Sequence, residues 1–466
     1  MQPTDTLAEA IGLVGYATED TGIGGVLKSR VADFRVDEIA TKITLNPKGR
    51  FTVAKVTLTN WETNRFCNNL SKKLGISRNR IFFAGTKDKR AVTSQLFVID
   101  APQFKVEEVE IHDVVIEVLG RTHQKIGFGN HRGNRFTIVA RGCAHPDGSP
   151  MTEDEAMEEV ETIKSNMVQM LGEGRAPNWI GPQRFGSGRA VTAEVGARVI
   201  QERWEDAALT YIAKEGADEK DTVAAFRAHV REHGITEEGL ALAPDWLGFE
   251  RRMVEHLLKN PEDFIGAFRK LPNNLQLMTV HALQSVVFNR SLKKRLENGL
   301  SITTPVTGDL VGRLDEKGQL AVSSCVTVED RTAPRIGRNC DLGRLTVTGP
   351  LPGRDISTCE GKPGEFEQSV LEEMDLADTS WMVEAIPRLT TSGTRRSLTT
   401  NFSDFSVEVT PKAAEETLGE RWNQGPGENS RWHPEGACLK FRFTLPSGSY
   451  ATILLREYMR GPLNQL

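Results

Sequence analysis

The sequence predicts a mixed α and β protein of two domains. Short apolar, β-prone runs at Phe51–Leu58, Ile81–Ala84, Leu96–Ile99 and Leu439–Leu445 read as strands. Helical periodicity instead occupies 152–170 and much of 190–300. The 466 residues also exceed what one hydrophobic core usually serves.

Taken in order, Gly22–Glu38 opens with glycines that lack the G-x-G-x-x-G spacing of a dinucleotide fingerprint. Phe51–Leu58 is a strand. Trp61–Leu74 spaces Phe66, Leu70 and Leu74 four apart before Gly75, the pattern of a helix with a glycine cap. Ile81–Ala84 and Leu96–Ile99 are neighbouring buried strands, and Gly85–Ala91 is the loop at their end. Phe136–Ala140 is a further strand. Thr152 and Glu155 form a capping box for a helix whose apolar stripe is Ala156, Val160, Ile163, Met167 and Met170, ending near Gly172. The turn-rich 172–177 segment marks a domain junction. Helical patterns then run to a long helix over Leu275–Leu296. Residues 301–350 are strand-like, an acidic helical stretch surrounds Glu365–Asp375, and Ile386–Arg396 returns the chain to the first domain. No repeat or low-complexity linker interrupts it.

The composition, 38% hydrophobic and 26% charged, is that of a soluble globular protein. A net charge of -5 and a pI near 6.1 taken alone argue mildly against nucleic acid. The distribution argues the other way: acids gather at Glu153–Glu161 and Glu360–Glu384, while Lys72–Arg90 and Arg121–Arg135 are basic. Six scattered Cys without metal-ligand spacing read as reduced thiols. No apolar run approaches a membrane span and Met1–Glu19 lacks a signal pattern, so a soluble, cytoplasmic protein is expected.

The chemistry concentrates at Gly85–Ala91, where Asp88 stands among Lys87, Lys89 and Arg90. An Asp in a polar turn ordinarily holds its own backbone. Here no other acid lies between Lys72 and Asp88, so the carboxylate sits within a tract suited to phosphates, as a nucleophile or base acting on nucleic acid would. Arg121–Arg135 adds four Arg or Lys and no acid. Its glycines lack the Lys-Ser/Thr of a phosphate loop, which argues against a nucleotide hydrolase. An RNA-binding protein without catalysis is the stronger rival.

Ala84-Gly85-Thr86-Lys87-Asp88-Lys89-Arg90-Ala91-Val92-Thr93-Ser94-Gln95 resembles the catalytic signature of the TruD family of pseudouridine synthases, A-G-x-K-D-[KR]-x-A-x-T-x-Q. Lys28 to Glu38 is similar to the family's K-x-x-x-x-D-F-x-V-x-E, and Gly133-Asn134-Arg135-Phe136 to its G-N-x-F. Pro177–Gly186 resembles P-N-[YF]-F-G-x-Q-R-F-G, with Trp179 and Ile180 departing from the usual aromatic pair. Ala282–Asn289, Gly393–Arg396 and Leu445–Glu457 are similar to A-L-Q-S-x-x-F-N, G-x-R-R and L-P-x-G-S-Y-A-T-x-x-L-R-E.

The resemblance implies that Asp88 is the catalytic nucleophile, faced by Lys28. It implies that Phe136 stacks on the target base, that Asn134 orders the site, and that Lys87, Lys89 and Arg184 contact substrate. A Phe that opens a strand is otherwise core. The implied fold is an α+β catalytic domain with an antiparallel, mixed sheet, residues 1–177 and 393–466, interrupted by an inserted domain at 178–392. The implied reaction is isomerisation of uridine 13 of tRNA to pseudouridine in a basic cleft between the domains. No metal, organic cofactor or obligate protein partner is implied.

Overall fold

The computed structural model describes residues 5–185, 189–216, 219–315, 318–411 and 436–465. The chain divides into two units. Met1–Gly15, Pro177–Asp315 and Leu320–Thr399 form one, and Tyr16–Ala176, Glu316–Gln319 and Thr400–Leu466 form the other.

The unit that holds Asp88 is built on a nine-stranded sheet. Its strands are β1 (Gly24–Val26), β2 (Phe34–Ala40), β3 (Phe51–Thr59), β4 (Ile81–Phe83), β5 (Val92–Ile99), β6 (Val114–Thr122), β7 (His131–Cys143), β8 (Ser403–Val409) and β9 (Leu439–Pro446). They lie in the order β8-β9-β7-β2-β5-β3-β6, with β1 paired to β7 and β4 to β5. Every pairing is antiparallel except β2 with β5, so the sheet is mixed. The expected neighbours β4 and β5 pair with Ile81 opposite Ile99.

Period-two burial sets the faces. In β2, Phe34 and Val36 are buried and Arg35 exposed; in β9, Phe441 and Phe443 are buried and Arg442 exposed. Helix α1 (Thr63–Leu74) lays Phe66, Cys67, Leu70 and Leu74 on Ala54, Val56, Leu58 and Phe97 of the sheet. Its N-cap is Glu62, which accepts from the amides of Asn64 and Arg65, and Gly75 closes it at φ 64°, the left-handed cap expected from sequence. Fully buried Phe66 carries much of this contact, and its truncation to Ala costs about 3–5 kcal/mol. Helix α2 (Glu153–Leu171) has the expected capping box. Its stripe continues from Met167 to Leu171, a step of four, which leaves Met170 45% exposed where the sequence reading counted it in the apolar stripe.

The other unit combines helices with a four-stranded antiparallel sheet made of Leu310–Leu314, Leu320–Thr327, Leu345–Leu351 and Thr394–Ser397. Helix Asn273–Glu297 runs against helix Thr192–Ile200, and they approach so closely at Gly196 that a Cβ there would lie 2.1 Å from the carbonyl oxygen of Thr279. The polar residues of Ala282–Asn289 are structural staples. Asn289 donates to the carbonyls of Ile180 and Ile11, both at 3.0 Å, and accepts from the Ile180 amide at 2.9 Å. Gln284 donates to the carbonyl of Pro352 at 2.7 Å. Arg395, on the 394–397 strand, pairs with Glu367 at 2.7 Å, and Arg396 donates to the Asn178 side chain. Trp179 and Ile180, the departures from the motif, are buried. Gly186 of that motif lies outside the described residues. Among the described residues no helix is long and apolar enough to cross a membrane.

Candidate active site

The loop between β4 and β5 is tied down along its length. At its start the carbonyls of Ala84 and Gly85 accept from the Gly129 amide at 2.8 Å and from Gln95 Nε2 at 3.2 Å. The Lys87 amide donates to Thr63 Oγ1 at 3.0 Å, at the first residue of α1. At the far end the Asn60 amide donates to the Ala91 carbonyl at 3.0 Å. A loop held at this many points keeps the side chain it carries in one place.

That side chain is Asp88. Its Oδ2 lies 3.2 Å from Lys28 Nζ, with the two side chains 38% and 21% exposed. Lys28 reaches it from the turn between β1 and β2, where its backbone takes φ 56°, a left-handed conformation that costs a non-glycine residue about 1–3 kcal/mol. Two features hold this turn. Arg90 donates to the carbonyls of Lys28 and Ser29, both at 2.7 Å, and the Lys28 ammonium sits 4.5 Å from the ring centroid of Phe34. The result is a carboxylate and an ammonium side by side, each partly open to solvent.

Two of the three acids of the Lys28–Glu38 segment, Asp33 and Glu38, have buried, paired side chains. Asp33 takes both ends of the Arg141 guanidinium at 2.6 and 2.8 Å, and it also accepts from the Arg30 amide at 3.1 Å. Glu38 pairs with Lys87 at 2.8 Å, at 1% and 6% side-chain exposure. Lys87, expected to contact substrate, thus spends its ammonium on Glu38, whereas Lys89 is exposed. Glu38 stands directly across from Asn134, and Val36 across from Phe136, so Asn134 and Phe136 share a sheet face with Glu38. Phe136 is 7% exposed and stacked on Phe443 at 5.4 Å between centroids.

Gly133 is required by backbone crowding: a Cβ there would stand 2.3 Å from the Leu445 carbonyl oxygen of β9. Three polar atoms, Asn134 Oδ1, Gln95 Oε1 and Ser29 Oγ, are buried without a hydrogen-bond partner among the described residues. Such atoms cost about 1–3 kcal/mol each unless a ligand or water meets them. Arg184 belongs to the other unit, exposed on the 182–184 turn. There, burial first and then the charge of Arg184 push His281 below the usual histidine range.

The sequence reading singled out Asp88 and Lys28, and these two the structure joins. It passed over Arg90 as one more cation, and over Phe34, Glu38, Thr63 and Gln95. For Glu38 a signal existed: after Phe34 and Val36 it occupies the same inward face of β2, where an acid needs a partner.

The chain is similar to known proteins over nearly its whole length. The profile of the family described as tRNA pseudouridine synthase D (TruD) matches residues 10–458. A Methanosarcina acetivorans protein named "Probable tRNA pseudouridine synthase D" is 37% identical over 465 residues, 99% of this chain and 98% of its own. A Halobacterium salinarum protein of the same name is 34% identical, over 99% of each chain. The crystal structure of the Methanosarcina mazei protein designated a tRNA pseudouridine synthase D (TruD) superimposes with a TM-score of 0.84 at 33% identity, covering 100% of both chains. With the profile and the relatives spanning nearly the whole chain, the protein belongs to the tRNA pseudouridine synthase D (TruD) family.

Proposed function

We propose that this chain isomerises uridine 13 of tRNA to pseudouridine, with Asp88 as its essential carboxylate. The observation that carries the reading is the Lys28–Asp88 pair, 3.2 Å apart on two tethered turns and partly open to solvent. The unit built on the nine-stranded sheet is then the catalytic domain, and the helical unit the inserted one.

The isomerisation breaks the N1–C1′ bond, turns the uracil and forms the C5–C1′ bond. C5 loses a proton and N1 gains one, so no external reactant is consumed. A carboxylate can begin this by attacking C6, by attacking C1′ or by removing a sugar proton. All three need Asp88 charged and fixed, and Lys28 supplies the facing cation. The target base must leave its stack, at a cost of a few kcal/mol that pocket contacts offset. Asn134 Oδ1 and Gln95 Oε1, buried and unpartnered among the described residues, are acceptors suited to the N3–H of the uridine base.

The test is tritium release from C5-labelled uridine in unmodified tRNA, wild type against Asp88→Asn, with RNA binding measured for both. Release by wild type and none by a mutant that still binds supports the reading. Equal release by the two would remove Asp88 from the reaction, and RNA binding with no release by either would favour an RNA-binding protein without catalysis.

A further inference from the structure

We propose that Phe128 is a stacking platform for an unpaired nucleobase that flanks the target uridine in the RNA. This rests on the reading of the chain as an enzyme acting on RNA, and it adds a subsite to it.

Phe128 is 73% exposed, the most exposed large apolar side chain among the described residues. A lone surface apolar residue needs no explanation, but Phe128 is not a loose one. Its ring lies 5.4 Å from Phe83 at 59°, and Phe83 in turn lies 5.6 Å from Phe97, which lies 5.2 Å from buried Phe66. A column of rings therefore leads from the core under α1 to the surface and ends in a ring that the described residues leave largely uncovered.

The loop that carries Phe128 is coupled to the catalytic loop. The Gly129 amide donates to the Ala84 carbonyl at 2.8 Å, and Thr41 Oγ1 donates to the Asn130 carbonyl at 2.7 Å. Ala84 is four residues before Asp88, a span of at most about 14 Å of chain. A base on Phe128 thus belongs to a nucleotide within a few positions of the one at Asp88.

The surroundings select for RNA. Arg78 lies over Phe83, 5.2 Å from its centroid, and Lys125 stands 4.9 Å from Phe82. Neither 121–135 nor 72–87 contains an acid. An exposed aromatic within a cationic surface is the arrangement that binds unpaired bases, with stacking for the base and charge for the phosphate. Every base has a π-face, so the subsite reads that a nucleotide is unpaired more than which base it carries.

The test compares wild type, Phe128→Ala and Phe128→Trp for affinity to unmodified tRNA transcripts. One transcript is intact, and the others each carry a single abasic nucleotide at successive positions around the target. The expected result is about a tenfold weaker Kd for Phe128→Ala on intact RNA, with Phe128→Trp close to wild type. One abasic transcript should weaken wild type by a similar factor and weaken Phe128→Ala no further. Phe128→Ala binding every transcript as wild type does would overturn the proposal. So would a Phe128→Ala deficit of the same size on every abasic transcript, because the ring would then act through its loop. The exposed ring should leave the thermal midpoint unchanged, and an unfolding shift shared by both variants also sinks the idea. Pseudouridine formation by wild type, scored separately, tests the enzyme reading: its absence removes that reading while the binding comparison still decides whether Phe128 holds a base.

Discussion

The guanidinium of Arg90 reaches back from the loop that carries Asp88 to donate to the carbonyls of Lys28 and Ser29, both at 2.7 Å. Lys28 needs such a hold, since its backbone is left-handed and its ammonium must stay at Asp88. Under the proposed reading Arg90 is therefore a positioning residue. Arg90→Ala should lower the single-turnover rate about tenfold, on the order of one net hydrogen bond's worth of positioning, and change tRNA Kd far less. Arg90→Lys should recover part of the rate. Equal losses in rate and affinity would instead make Arg90 a phosphate contact.

Lys28 itself gives a second split. Its ammonium faces Asp88 and rests on Phe34 at 4.5 Å, so under the proposed reading it acts where charge changes during the reaction. Lys28→Met keeps the length and apolar body and removes the charge. Turnover should fall by about a hundredfold or more while RNA affinity falls only slightly. Parallel losses would reduce Lys28 to one more contact with the RNA backbone.

The thiols provide a pH-dependent check on the packing. Burial pushes Cys67 and Cys143 up to about 12, and burial with the charge of Glu367 does the same to Cys359. At pH 8 about one such thiol in ten thousand is a thiolate, so alkylation of the native protein should run orders of magnitude slower than of the unfolded chain. Mass spectrometry after brief iodoacetamide treatment checks this, and prompt native labelling of Cys67 would contradict it. The linkage runs the same way. Because the folded value lies above the ordinary 9.0, these thiols support the fold fully below about pH 9, and that support is lost as pH rises towards 12.

Sequence showed most of the elements because hydrophobic period and caps are local. Gly75, Thr152 with Glu155, and the Phe66–Leu74 stripe all appear in the structure as read. It showed less of what long-range pairing decides. The Phe136–Ala140 strand begins at His131, because the residues read as loop pair with β2 and β9 on either side. Residues 5–15 fall in the unit that contains Asn289, since the Ile11 carbonyl is bonded to that side chain, a contact 278 residues apart that no local pattern announces. In the site, Asp88 stood out as an acid among bases. Arg90 did not, because a cation that holds backbone carbonyls and one that waits for phosphate look alike until the turn opposite is placed.

The same ambiguity applies to Lys87, and it can be resolved by stability. Resemblance implies a substrate contact, whereas the ammonium lies 2.8 Å from Glu38 with both side chains almost wholly buried. Removing one member leaves a buried charge alone, which costs about 3–5 kcal/mol; removing both leaves none. Lys87→Met and Glu38→Gln should each shift the urea midpoint strongly down with the slope unchanged, and the double variant Lys87→Met/Glu38→Gln should recover much of the loss. Turnover should fall with both single variants, because Glu38 also accepts from the Leu96 amide and the pair ties the Asp88 loop to β2 and β5. If Lys87→Met instead unfolds like wild type and loses tRNA affinity, its ammonium leaves Glu38 for the RNA, and the pair is a resting arrangement that substrate breaks.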